Sequence, residues 1–98
     1  MKRDKEKIKE VQQLIADHIK KHRSISGYSS SEQFSTLNNL SRATYEGYEK
    51  GANMNLDTFI HILGLLGLSF SEFFEELDDT PQDLYPNRLT KQDLRSIQ

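Results

Sequence analysis

Cysteine and tryptophan are absent from the 98 residues, and the two prolines, Pro81 and Pro86, both fall in a polar stretch near the end. Without cysteine there is no disulfide framework and no thiolate metal site, a composition that suits a reducing compartment. No apolar stretch approaches the length of a membrane span, and the opening MKRDKEKIKE has no apolar segment after its positive charges, as a secretory signal would. A glycine-rich phosphate loop, a nucleophile elbow and paired catalytic carboxylates are likewise missing. These absences lead to the expectation of a soluble cytoplasmic protein that is not an enzyme and needs no cofactor. At this length one domain is expected, small enough to be only modestly stable.

Basic charge is also in short supply. The formal net charge is −2, with thirteen Lys and Arg against fifteen Asp and Glu. Its distribution is uneven: residues 1–23 hold eight bases and four acids, residues 72–98 seven acids and three bases. A basic front could meet phosphates. Solvated helix faces and an acidic tail give the same figures, so both readings stand.

What is present is helical periodicity. Over residues 5–23, Ile8, Val11, Ile15, His18 and His22 recur at spacings of three and four, flanked by Leu14 and Ile19, which predicts a long amphipathic first helix. It stops near Gly27. The Ser29-Ser30-Ser31 cluster predicts the start of a short helix over 30–37, with Ser29–Glu32 and Ser30–Gln33 at capping-box spacing and Phe34 and Leu37 on the buried side. Ser41 is a natural N-cap for a helix over 41–50 with Tyr45 and Tyr48 inside, ended by Gly51. Residues 56–66 are apolar enough for a central helix, closed by Gly67. Ser69 and Glu72 form a further capping box ahead of Phe73, Phe74 and Leu77. The expected fold is all-α, five helices within residues 1–78. Residues 79–98 read as an acidic, polar tail, partly flexible or carrying one short helix around 91–97.

Several of these segments, taken in order, resemble the phage repressor and Cro class of helix-turn-helix proteins, the XRE family. The resemblance runs from about Ile15 to Leu77. It is carried by Ser-Ser-Glu-Gln-Phe at residues 30–34, Leu40-Ser41-Arg42, Tyr45 and Tyr48, Glu49-Lys50-Gly51, Leu56-Asp57-Thr58-Phe59, and residues 66–74. It implies a lambda-repressor-like domain that binds double-stranded DNA as a transcriptional regulator, with the 41–50 helix in the major groove of a palindromic operator. The residues it places at base edges are Ser31, Arg42, Ala43, Thr44, Glu46 and Gly47. Arg42 is the strongest candidate, since a guanidinium can grip guanine N7 and O6 together. Phosphate contacts fall to Ser30, Lys50, Asn53 and Asn55. Arg23 and Glu49 correspond to an ion pair that ties the first helix to the third. Relatives often dimerise through the last helix, here near Phe70 and Phe74, so a homodimer is expected.

The chain departs from that family in four ways. One extra Ser lies between Gly27 and the second helix, Asn39 stands where a turn glycine is usual, Gly47 replaces a contacting side chain, and the loop after Gly51 lacks Lys and Arg. Modest affinity per monomer follows. The low basicity, Gly47 and the long tail also admit an alternative, a protein-interaction or antitoxin-like module whose tail grips a protein partner. His18 and His22, four residues apart, could be half a zinc site, but no neighbouring residue in the sequence completes it, so both are assigned to the packed face and no metal is expected.

Overall fold

A computed structural model describes residues 5–77. The expected tail, with its short helix around 91–97, lies outside the described residues. Within them are five helices and no strand: α1 (Lys5–Ile25), α2 (Ser31–Leu37), α3 (Arg42–Glu49), α4 (Leu56–Leu66) and α5 (Phe70–Glu75). No described helix is long and apolar enough to cross a membrane.

Short helices need their ends satisfied, because the first four amides and last four carbonyls of each have no partner within the helix. Serine oxygens serve the starts of three. Ser30 Oγ accepts from the Gln33 amide at 3.0 Å, Ser41 Oγ from the Thr44 amide at 3.4 Å, and Ser69 with Glu72 forms a complete capping box. The Ser29–Glu32 pairing does not form; the Gln33 carboxamide oxygen instead accepts from the Ser29 amide at 2.7 Å.

The C-terminal ends of α1 to α4 share one solution. After α1, the Tyr28 amide donates to the Arg23 carbonyl and the Gly27 amide to the Ser24 carbonyl. The same crossed pair recurs after α2 (Leu40 to Ser35, Asn39 to Thr36), α3 (Ala52 to Gly47, Gly51 to Tyr48) and α4 (Leu68 to Leu63, Gly67 to Gly64). These are Schellman motifs, which require a left-handed residue just past each helix. Gly27, Asn39, Gly51 and Gly67 all have positive φ. Asn39, at φ 61°, takes the left-handed conformation in the turn between α2 and α3, which an amide side chain tolerates. The motif closes α1 at Ile25, within the stretch before Gly27 where the helix was expected to stop.

The core is Ile19 of α1, Phe34 of α2, Tyr45 of α3, Phe59, Ile62, Leu63 and Leu66 of α4, and Phe73 of α5. Phe34 sits between Tyr28 and Tyr45, with ring centroids 4.8 and 4.9 Å away. Two expectations are corrected. Leu37 is 66% exposed, because Phe34 and Ser35 occupy the arc of α2 that faces the core and Leu37 falls outside it. Central α4 is buried on one side only: Leu56 and Ile60 are exposed.

Two glycines at the end of α3 have opposite roles. A Cβ on Gly47 would meet Ala52 Cβ at 3.7 Å, ordinary contact, whereas on Gly51, at φ 99°, it would lie 2.6 Å from Gln13 Oε1. Gly47→Ala is predicted to stabilise the domain by roughly 0.5–1 kcal/mol through lost chain entropy, and Gly51→Ala to destabilise it by roughly 1–2 kcal/mol. Thermal unfolding should therefore move in opposite directions for the two variants, by several degrees each.

Candidate nucleic-acid interface

The unit of α2, a tight turn and α3 stands on α1. Ser41 caps α3 from outside the helix, so the residues that follow begin its first turn. Arg42, Ala43 and Thr44 there are all exposed, while Tyr45, next in line, is fully buried. That alternation gives α3 one face fixed in the core and one open to solvent. Glu46 and Gly47 are half-buried, as are Ser30 and Ser31 at the start of α2; Lys50, Asn53 and Asn55 are exposed.

A polar groove between α1, the start of α2 and the end of α3 is lined by Lys20, Ser30, Ser31, Glu46 and Lys50, with Arg23 and Glu49 beside them. The fold thus gathers two candidate phosphate contacts, Ser30 and Lys50, and two candidate base contacts, Ser31 and Glu46. Asn53 stands apart. It accepts from Gln12 Nε2 at 3.3 Å and borders a separate, largely apolar pocket with Ile15, Met54 and Leu56.

Arg42 is not a bare cation. Its Nε donates to Glu46 Oε1 at 2.9 Å, and its Nη1 lies 3.2 Å from Glu32 Oε1. The hydrogen bond it donates to Glu46 leads in raising the guanidinium pKa, with the Glu32 charge adding to it. With the Arg42 side chain 58% exposed, such pairs contribute little to stability. They hold the guanidinium across the first turn of α3, and it can change partners at small cost.

Beneath this surface lies the pair that orients α3. Arg23 Nε donates to Glu49 Oε2 at 2.8 Å and Nη2 to Oε1 at 3.1 Å, with side-chain exposures of 5% and 8%. Arg23 Nη1 also donates to the Tyr28 carbonyl at 2.9 Å. One planar group therefore joins the end of α1, the loop into α2 and the end of α3, a forked geometry lysine cannot reproduce. The buried Tyr45 hydroxyl stands beside the pair without a well-formed hydrogen bond, and burial, reinforced by neighbouring Glu49, pushes the phenol pKa up.

Among the described residues the fold also makes a cluster the linear sequence hides. His18, His22 and Glu76 hold potential ligand atoms within 4.8 Å of one another, which corrects the expectation that no Cys or further clustered ligand completes the histidine pair. Glu76 arrives from beyond α5, far along the chain. Glu32 and Lys20 were equally unforeseen at the candidate site. Lys20 had a signal, its position three residues before Arg23 on the same helix; Glu32 had none until the crossing of α2 and α3 was known.

No protein-family model matches this chain, and neither a curated protein nor a solved structure is significantly similar to it.

Removing one partner of a buried ion pair leaves the other charge stranded, whereas replacing both with apolar groups can be nearly neutral. Arg23→Met should accordingly destabilise the domain by about 3 kcal/mol or more. The double variant Arg23→Met/Glu49→Leu should recover most of that loss. Urea unfolding of the single and double variants measures the difference; equal losses would show that the pair acts only through Arg23 and the Tyr28 carbonyl.

Proposed function

We propose that this chain is a lambda-repressor-like, sequence-specific reader of double-stranded DNA and acts as a transcriptional regulator of the XRE type. The observation that carries the proposal is the two-sided construction of α3: Tyr45 and Glu49 are held from within while Arg42, Ala43 and Thr44 are open on its first turn. A helix so held can enter a major groove in a fixed register.

In this reading Arg42 exchanges Glu32 and Glu46 for guanine N7 and O6, a contact that discriminates by roughly 1–3 kcal/mol. Ala43 and the Thr44 methyl lie against a thymine methyl, Glu46 accepts from a cytosine amino group, and Gly47 lets the backbone come close. Ser31 reads from the start of α2. Ser30, Lys50, Asn53 and Asn55 hold phosphates, with Lys20 added to them from the groove. The carboxylates near Arg42 and the net charge of −2 keep each half-site weak. Two copies then bind together, in the cytoplasm, paired through Phe70 and Phe74, which are nearly half exposed and stack near Phe59.

Selection of duplexes from a random library at low salt should enrich a palindrome with half-sites about 10 bp apart. Arg42→Ala should relax the preference at one position of each half-site, and Lys50→Ala should weaken binding to all sequences and reduce the salt slope by about one. Recovery of no enriched sequence would overturn the proposal in favour of a protein-interaction module on the same scaffold.

A further inference from the structure

The chemistry at the opposite side of α1 is of a different kind. His18 and His22 lie one helical turn apart, so their rings emerge on the same face, with centroids 4.5 Å apart. His18 is 6% exposed. The Nε2 atoms of both rings are buried, and neither has a hydrogen-bond partner. Two buried imidazole nitrogens left unpaired on adjacent rings are costly unless something occupies the space between them. Facing them is Glu76, whose Oε2 lies 3.8 Å from His18 Nε2, outside hydrogen-bonding distance.

We propose that His18, His22 and Glu76 form a binding site for a divalent transition-metal ion of the zinc class. Two imidazoles and a carboxylate with no thiolate suit zinc and its first-row neighbours, and imidazole disfavours magnesium and calcium. Zinc bonds to such ligands at about 2.0–2.2 Å, so the ligand atoms must draw in from the 4.8 Å they now span. The side chain able to move is Glu76, which is half exposed, while the histidines are held by the helix and by Phe73, whose ring centroid lies 4.6 Å from that of His18. Three protein ligands leave the fourth position to water.

The surroundings prepare the donors. Burial acts on His18 in the direction of the neutral ring, the form that binds metal. On the other side of the carboxylate, Lys21 Nζ holds Glu76 Oε2 at 2.9 Å. Lys21 is therefore the competitor that a metal ion must displace. Once bound, the ion would tie α1 to the residue just past α5, the helix that carries Phe70 and Phe74.

The test uses the untagged full-length chain, freed of metal with a chelator and titrated calorimetrically with Zn²⁺. One ion should bind per chain, and the melting temperature should rise with Zn²⁺ concentration, since an ion that binds only the folded state stabilises it by mass action. Glu76→Gln, at an exposed position that does not endanger folding, and His22→Gln should each weaken binding at least ten-fold. His61→Gln, on the exposed side of α4, should leave it unchanged. Lys21→Met should tighten it a few-fold, the equivalent of one exposed ion pair. The proposal is overturned if the parent chain binds Zn²⁺ no better than Glu76→Gln, or if His61→Gln weakens binding as much as His22→Gln does. These results do not depend on whether the chain binds DNA.

Discussion

An eight-residue helix cannot hold itself in water, so the position of α3 is decided by what grips it from below. That grip is the buried, two-pronged pairing of Arg23 with Glu49. The guanidinium reaches the end of α3, the loop into α2 and its own helix at once, so the angles among three helices are set by one planar group. Apolar packing of Tyr45 against Phe34 supplies the affinity between the helices but is tolerant of small rotations; the fork is not. Whatever the exposed face of α3 meets, it meets in the orientation this pair imposes.

Economy at the helix ends makes that arrangement possible in so short a chain. Four successive helices close with the same crossed hydrogen bonds and a left-handed residue, after which the chain turns back within a few residues. Because the turn chemistry is local, each junction satisfies its own carbonyls without help from the core. The buried side chains are left with a single task, which is to bring α1 to α5 around Phe73 and around Phe59 of α4.

The local part of this design was legible from residue order. Serine marked the starts of α2, α3 and α5, glycine and Asn39 marked the ends of α1 to α4, and apolar spacing marked α1 and α4, because capping and periodicity are properties of neighbours in the chain. Facing was less legible. Leu37 looked internal because it is apolar, yet on a seven-residue helix only a narrow arc meets the core and Phe34 with Ser35 fills it. Leu56 and Ile60 fail for the same reason, as α4 is covered on one side only. The pairing of Arg42 with Glu32 and the meeting of His18 and His22 with Glu76 join residues from different elements, whose crossing no periodicity specifies.

Charge is the sharpest constraint on the DNA-reading account, for carboxylates border the surface assigned to phosphates and bases. In the proposed DNA-reading function, Glu32 and Glu46 hold Arg42 until a base replaces them. The most direct measurement is of backbone amide shifts by nuclear magnetic resonance as duplex DNA carrying the selected site is added. Amides of residues 41–47 and of residues 30–31 should shift together and saturate at one stoichiometry, with those of α4 far less affected. Shifts confined to α4 and α5, with the first turn of α3 unmoved, would contradict the account.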